Sequence, residues 1–394
     1  MNHRPLDGVT VVSLEQAVAA PFATRQLADL GARVIKVERP GTGDFARRYD
    51  ETVRGEASYF VWLNRSKESL TLDLKSPAGA EILTRLLDDA DVFVQNLAPG
   101  AAARLGLDAS ALTTRRPQLV CCDISGYGND GPWADRKAYD ALVQAEAGLM
   151  SVTGTPDTPV KVGVSVADIA AGMYAYSGIL ASLYTRATTG TAPPVEVALF
   201  EALAEWMSQP SLYTRHGGTA PARVGAEHAT IAPYGPFTCA DGRDVLIAVQ
   251  NEREWAALCE KVLGRPELVG DPRFAGNSAR VAARAEINTF IRERFALLDA
   301  EEAVALLDAA AIANARLNSV EEFNDHPSLI GRDRWRNVAV PGGQASSLLP
   351  PAGLGGVQPR MDPVPALGEH TEDILGRIGY QAPEIARLRA EGTI

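Results

Sequence analysis

Residues 9–37 read VTVVSLEQAVAAPFATRQLADLGARVIKV, and this stretch decides the fold. Residues 9–14 form an apolar, β-branched run that is typical of a buried strand. Residues 21–30 carry apolar side chains at helical spacing, and Gly31 is a typical C-terminal stop. Residues 34–37 form a second strand-like run. A strand, a helix and a strand in this order predict one crossover unit of a mostly parallel sheet.

The same alternation continues to about residue 210 and predicts a large α/β domain over residues 1–210. The further strands are predicted at 70–74, 92–94, 119–124 and 196–198, and the further helices at 77–87, 140–150, 168–184 and 200–207. The helix at 168–184 is apolar, but it is short for a membrane span and begins with an aspartate. We therefore predict that it is a buried core helix and that the protein has no membrane partner.

A second unit is predicted over residues 225–330. It contains a hairpin formed by 234–237 and 245–249, followed by three helices at 252–263, 279–296 and 300–312. This combination predicts a smaller α+β domain. From residue 331 onward Pro and Gly are frequent, which predicts an extended segment over 331–394 with a final helix near 370–379.

The composition excludes several classes of protein. The chain has 394 residues, of which 46% are hydrophobic and 22% charged, and this balance excludes a disordered chain. Its 38 basic and 49 acidic residues give a net charge of −11, which argues against binding to a nucleic acid. The N-terminus lacks the apolar core of a signal peptide, so a cytoplasmic location is expected. Any phosphate ligand therefore needs a local basic cluster.

The familiar cofactor and metal motifs are missing. The four cysteines include no CxxC pair, and the five histidines are scattered, so no metal site is predicted. No P-loop and no GxGxxG stretch occurs, so no redox cofactor is predicted. The basic cluster lies at residues 33–75, where nine basic residues outnumber seven acidic ones. It predicts a site for phosphate groups at the strand ends, although solvated surface charge explains the same pattern.

Asp168 has two interpretations from the residues alone. It is placed near the start of an apolar helix, where a carboxylate caps backbone N–H groups and is favoured by the helix dipole. It could equally be a half-buried carboxylate that acts as a nucleophile. Local patterns do not choose between a cap and a catalytic group.

Four motifs together resemble the class III (CaiB/BaiF type) CoA-transferases, the family of formyl-CoA transferase, carnitine CoA-transferase and α-methylacyl-CoA racemase. They are LADLGARVIKVERPGTGD at 27–44, NRSKESLTLDLKSPAG at 64–79, DVFVQNLAPG at 91–100 and RLGL at 104–107. The resemblance implies a Rossmann-like large domain built from both chain ends, with the C-terminal segment returning to it. It also implies an interlocked, ring-like homodimer.

The resemblance also implies the site. The pattern ADxxxGM places the family's catalytic aspartate at Asp168. The coenzyme A contacts fall on Arg39, Leu72, Lys75, Asn96, Leu97, Arg104, Lys137 and Tyr139. The implied reaction moves coenzyme A from an acyl-CoA to a small carboxylic acid through an aspartyl anhydride and an aspartyl-CoA thioester, without a metal or redox cofactor. Acyl-CoA is then a substrate, and the other partners are a small carboxylate and a second copy of the chain.

Two alternatives to the transferase stay open at this point. A racemase of this family uses a His immediately before an Asp, whereas this chain has Tyr139 before Asp140, so the second base is missing. A silent acyl-CoA-binding protein would not need a carboxylate at position 168.

The acceptor acid is predicted only weakly. Formyl-CoA transferase has glutamine at the position of Val18, and its glycine-rich loop is replaced here by EHATIAPY at 227–234. Oxalate is therefore not favoured. Gln16 is the neighbouring candidate, and His228 with Arg47, Arg48 or Arg65 is predicted to bind the second carboxylate of a C4–C5 dicarboxylic acid.

Overall fold

The structure is a computed structural model that describes residues 3–394, and the chain divides into two compact units. The larger unit contains the chain up to Ala147, Val162–Met207 and Gly331–Ile394. The smaller unit contains Gly148–Lys161 and Ser208–Ile330. The sequence does not predict that the short segment Gly148–Lys161 belongs with the smaller unit.

The larger unit is built on a six-stranded sheet in which every neighbouring pair of strands is parallel. The strands are β1 (Thr10–Leu14), β2 (Arg33–Glu38), β3 (Lys67–Thr71), β4 (Val92–Gln95), β5 (Val120–Ser125) and β6 (Val195–Ala198). Their order is β3-β2-β1-β4-β5-β6, which confirms the predicted α/β fold. Strand β3 begins three residues earlier than predicted because Lys67 and Ser69 are buried against carboxylates, and an apolar pattern cannot show this.

Helices join these strands, and the C-terminal helices complete the same core. The α-helices of the larger unit are Ala19–Asp29, Ser58–Asn64, Pro77–Asp88, Ala101–Arg104, Ala109–Arg115, Asp140–Glu146, Val166–Thr189, Leu199–Trp206, Thr371–Arg377 and Ala382–Ala390. Val12, Ile35 and Phe93 of the sheet lie in one buried cluster with Leu375 and Leu388. The two C-terminal helices are thus part of the large unit's core.

The smaller unit has an antiparallel sheet covered by helices. Its strands are β7 (Tyr234–Thr238), β8 (Asp244–Ala248) and β9 (Ala313–Arg316), and its longer helices are Ser208–Gly217, Glu252–Ala257, Gly276–Ala282, Arg284–Phe295 and Ala300–Ala309. The shorter ones are Leu149–Val152, Val320–Asn324 and Pro327–Ile330. The predicted hairpin is present. The predicted helix at 252–263 changes to a π-helix at Leu258, and β9 was not predicted.

The C-terminal segment contains more structure than its Pro and Gly content predicts. Strands β10 (Trp335–Val340) and β11 (Gly343–Leu348) form an antiparallel hairpin that turns at Pro341 and Gly342. A Cβ at Gly342 would lie 1.9 Å from the Arg54 carbonyl oxygen, so this turn needs glycine. The predicted extended chain with one last helix is therefore wrong for the hairpin and for helix Ala382–Ala390.

The helix Val166–Thr189, called the long helix below, positions Asp168. It is the one helix among residues 3–394 that is long and apolar enough to cross a membrane by length and composition. In the large unit its Ala170, Ala171 and Ala175 are buried, whereas Tyr184 is 72% exposed, so it is only partly the buried helix that was predicted. A Cβ at Gly172 would lie 2.7 Å from the Ala19 carbonyl oxygen, so the small residue lets helix Ala19–Asp29 approach.

Candidate active site

The loops at the carboxyl ends of β1 and β4 meet where the strand order reverses, the usual ligand crevice of an open parallel sheet. The Asn96 side chain joins them. Its Oδ1 accepts a hydrogen bond from Gln16 N at 2.9 Å, and its Nδ2 donates to the Gln16 carbonyl oxygen at 3.0 Å. Ala17 has a left-handed φ of 58°, and its N–H donates to Asp44 Oδ1 at 3.0 Å. The loop that leads into helix Ala19–Asp29 is therefore fixed by side chains.

A buried network of charges lies beneath this loop. The Glu15 carboxylate is 2.7 Å from Lys67 Nζ and 3.3 Å from Lys36 Nζ, and Lys36 Nζ is 2.8 Å from Asp44. All four side chains are at most 3% exposed, and Glu15 also accepts a hydrogen bond from Thr24 of helix Ala19–Asp29. Burial alone would raise the pKa of Glu15, but Lys67 and Lys36 hold it at about 2. These lysines are therefore structural cations.

Asp168 is the third residue of the long helix and is half-buried. Its position differs from the predicted cap, because Ser165 is the N-cap residue and makes no side-chain cap bond. Within residues 3–394 the structure gives its carboxylate no hydrogen bond and no ion pair. Burial, and then the nearby charge of Asp140, raise the pKa of Asp168 to about 7. Within residues 3–394 the group is therefore an unpaired carboxylate whose pKa lies near neutral pH.

Tyr49 lies close enough to Asp168 to interact with it electrostatically. Burial, and then the charges of Asp44, Asp168 and Tyr139, raise the pKa of Tyr49 to about 12. Tyr139, the N-cap residue of helix Asp140–Glu146, is 67% exposed. Tyr49 in turn packs edge-on against Tyr59 at 5.7 Å. Sequence reasoning missed Tyr49 and Tyr59, because no spacing or motif connects residues 49 and 59 with residue 168.

The predicted coenzyme A residues lie in the large unit, several of them directly after strands. Arg39, Leu72 and Asn96 follow β2, β3 and β4, and Leu97 is next in the chain. The side chain of Leu72 is only 2% exposed and packs in the core, so it does not face the surface where the basic residues lie. Leu97 is half-buried against the same core.

The four basic members of this set share one property that sets them apart. Arg39, Lys75, Arg104 and Lys137 are exposed, and in the described part of the chain their side chains have no hydrogen bond and no ion pair. Most of the other basic residues of the predicted cluster are paired with carboxylates. The pairs are Arg33–Glu68, Lys36–Asp44, Arg47–Glu38, Arg65–Asp29 and Lys67–Glu15. In the described part of the chain, the basic side chains of residues 33–75 that have no carboxylate partner are therefore Arg39, Arg48, Arg54 and Lys75.

The weaker substrate candidates are placed less favourably. Val18 is buried, and Gln16 Oε1 accepts a hydrogen bond from Phe45 N at 3.3 Å. Arg47 donates two bonds of 2.8 Å to Glu38 and stacks 3.7 Å from the Phe60 ring centre, because its charge balances the buried Glu38. His228 belongs to the smaller unit, where its ring stacks on Tyr234 at 5.2 Å. The structure thus gives the Arg47 guanidinium a partner of its own.

The ionisation of Asp168 predicts an unusual effect on stability. Because its folded pKa of about 7 exceeds the ordinary 3.8, the folded state keeps this proton while the unfolded chain loses it. The contribution of this protonated group to the unfolding free energy is fully present below pH 3.8 and is lost as the pH rises through 7. Asp168→Asn should therefore be more stable than the wild type at pH 8 by about 2 kcal/mol, and equal to it near pH 4.

Urea unfolding at both pH values measures this difference. Asp130 is exposed, and Asp130→Asn is the matched control. It should change the unfolding free energy by the same small amount at pH 4 and at pH 8. An unchanged or lower stability of Asp168→Asn at pH 8 would contradict the raised pKa.

The chain is similar in sequence to proteins of one known family. The model of CoA-transferase family III matches residues 6–371 of the chain. The chain belongs to this family. The succinyl-CoA:glutarate CoA-transferase of Mus musculus is 34% identical over 99% of the chain and 90% of that protein. The succinate–glutarate CoA-transferase of Agrobacterium fabrum is 34% identical, with 95% and 96% covered.

A solved structure agrees with this assignment. A CaiB/BaiF family protein from Brucella suis is 34% identical and superposes with a TM-score of 0.84 over 95% of this chain and all of that one. This family III protein is therefore a CoA-transferase that moves coenzyme A between an acyl-CoA and a carboxylate. Acyl-CoA is its substrate.

Proposed function

We propose that this CoA-transferase uses Asp168 as its nucleophile and a C4–C5 dicarboxylic acid, such as succinate or glutarate, as acceptor. The observation that carries the proposal is the Asp168 carboxylate, which is half-buried and unpaired within residues 3–394. A desolvated carboxylate without a partner is costly for folding, and such groups are concentrated at functional sites. The mouse relative is named for succinyl-CoA and glutarate and the Agrobacterium relative for succinate and glutarate, and these names support the acceptor class.

The reaction balances through two covalent intermediates on one side chain. A carboxylate oxygen of Asp168 attacks the thioester carbon of the donor, the C–S bond breaks, and coenzyme A leaves as the thiolate. The thiolate then attacks the Asp168 carbonyl carbon of the mixed anhydride and expels the donor acid as a carboxylate. The acceptor carboxylate attacks the aspartyl thioester, and the same two steps run in reverse. No proton is transferred between substrates.

The surrounding residues fit the roles that these steps require. Arg39, Lys75, Arg104 and Lys137 are free to pair with the phosphates of coenzyme A. The first backbone N–H groups of helix Ala19–Asp29 donate no hydrogen bond in the described part of the chain, and Gly172 brings this helix against the turn after Asp168. These N–H groups are our candidates for stabilising the oxyanion of each tetrahedral intermediate. Tyr49 lies close enough to the carboxylate to interact with it electrostatically.

Steady-state kinetics with matched acceptors test the proposal. Succinyl-CoA is the donor, and glutarate is compared with valerate, which has the same chain length but one carboxylate fewer. We expect parallel lines in double-reciprocal plots, as a covalent ping-pong reaction requires, and a kcat/KM at least about 100-fold higher for glutarate. Equal use of both acids would contradict the dicarboxylate assignment. Intersecting lines would contradict the covalent mechanism.

A further inference from the structure

Asp140 connects two helices at the point where the long helix begins. Its Oδ1 accepts a hydrogen bond from Ala167 N at 2.8 Å, and its Oδ2 accepts one from Gln144 Nε2 at 2.7 Å. Gln144 is fully buried, and its Oε1 accepts a hydrogen bond from Val162 N at 2.8 Å. These two side chains of helix Asp140–Glu146 therefore hold both ends of residues 162–167, the segment that leads directly into Asp168.

This arrangement replaces an ordinary helix cap. The local N-cap residue, Ser165, makes no side-chain hydrogen bond to the first turn of the long helix. Asp140 instead reaches across from the neighbouring helix and accepts the N–H of Ala167, the second helical residue. A carboxylate at this position satisfies an unpaired amide and interacts favourably with the helix dipole. The backbone that carries Asp168 is thus fixed by Asp140.

We propose that Asp140 is a positioning residue for the nucleophile, holding the first turn of the long helix and keeping a second negative charge beside Asp168. The inference rests on the proposed role of Asp168. Because like charges repel, the Asp140 carboxylate favours the protonated form of Asp168 and makes its ionised form a stronger base. A more basic carboxylate is a better nucleophile toward a thioester. Asp140 would thereby act on the reaction without touching the substrate.

Other charged groups near the long helix do not provide this effect. Besides Asp140, the titratable group that interacts with Asp168 is Tyr49, whose raised pKa of about 12 keeps it neutral from pH 4 to 9. The packed helix Ala19–Asp29 carries Arg25 and Asp29, and helix Leu199–Trp206 carries Glu201 and Glu205. Among the groups that influence the pKa of Asp168, Asp140 is the charged one.

A mutant cycle on stability tests this role without requiring turnover. The unfolding free energies of the wild type and Asp168→Asn are compared from pH 4 to 9, first with Asp140 intact and then in the D140N background. Asparagine keeps an oxygen that accepts the Ala167 hydrogen bond but removes the charge. The stability difference between Asp168→Asn and its parent grows with pH and then levels off. We expect the pH at which it levels off to be lower by about 1 unit in the D140N background. Glu146→Gln removes a charge from an exposed residue of the same helix, paired with Arg136 at 2.7 Å, and should leave that pH unchanged.

Single-turnover release of succinate from succinyl-CoA provides the second readout, because the enzyme keeps the coenzyme A as the aspartyl thioester. In D140N the acid limb of the pH–rate profile for this release should move to lower pH by the same unit. In Asp140→Ala the plateau rate should also fall at least about 10-fold, because the helix turn loses its cap. An unchanged transition pH in the D140N cycle would overturn the inference. Absence of succinate release from every wild-type sample, with the transition still shifted, would overturn the proposed function alone.

Discussion

Asp168→Ala is expected to lower the rate of CoA transfer by at least about 1,000-fold, because both covalent intermediates form on the removed carboxylate. The affinity for coenzyme A should stay within about twofold, since Arg39, Lys75, Arg104 and Lys137 are not altered. Calorimetric titration with coenzyme A and a transfer assay measure the two quantities on the same sample. Loss of transfer with retained binding separates a catalytic role from a folding defect.

The pH dependence of the wild type belongs to the same prediction. Asp168 must be ionised to attack, and its pKa is about 7. The rate of the first half-reaction should therefore rise about tenfold per pH unit below pH 7 and level off above it. The conservative Asp168→Glu should retain a trace of activity, lower by about 100-fold, because the added methylene displaces the attacking oxygen by roughly 1 Å. An Asp168→Ala protein that transfers coenzyme A at a normal rate would refute this role.

Glu15→Gln is expected to lower the free energy of unfolding by about 4 kcal/mol, the largest effect on stability that we predict. Glu15 is fully buried and is the partner that Lys67 and Lys36 share, so its neutral replacement leaves two buried ammonium groups with one carboxylate, that of Asp44. Burial already lowers the pKa of Lys67 to about 8 despite the charge of Glu15. Without that charge, Lys67 should lose its proton near neutral pH.

An exposed ion pair supplies the control for this variant. Glu81 lies 2.7 Å from Arg85 on the surface of helix Pro77–Asp88, and Glu81→Gln should cost less than about 0.5 kcal/mol. Guanidinium unfolding of both variants measures the difference. Equal losses in Glu15→Gln and Glu81→Gln would show that the buried network does not hold the loop at β1.

The fold was predictable from the sequence where apolar runs alternate with helical periods. The strands β1, β2, β4 and β5 agree with those runs to within one or two residues, because their buried side chains are mostly apolar. The predicted start of strand β3 was three residues late, because the first residues of the strand are polar and are buried by partners distant in sequence. Lys67 pairs with Glu15, 52 residues earlier, and no local pattern contains that information.

The site was predictable only in part, for a similar physical reason. The free cations and Asp168 were identified through the resemblance to a family, and the structure adds that their side chains are unpaired within residues 3–394. Composition could not separate Arg39, which is free, from Arg47, which is paired with Glu38 across a turn. The cap by Asp140 was also hidden, because Asp140 and Ala167 meet only through the packing of two helices.

Peptide mapping of a trapped intermediate tests the central claim most directly. Trypsin cleaves after Lys161 and Arg186, and the peptide of residues 162–186 contains Asp168 as its single acidic side chain. After incubation with succinyl-CoA, hydroxylamine should convert Asp168 to its hydroxamate, and borohydride should reduce the aspartyl-CoA thioester to homoserine. Both products should be confined to this peptide and absent from Asp168→Asn. Modification of another peptide, or no modification in an enzyme that turns over, would contradict Asp168 as the nucleophile.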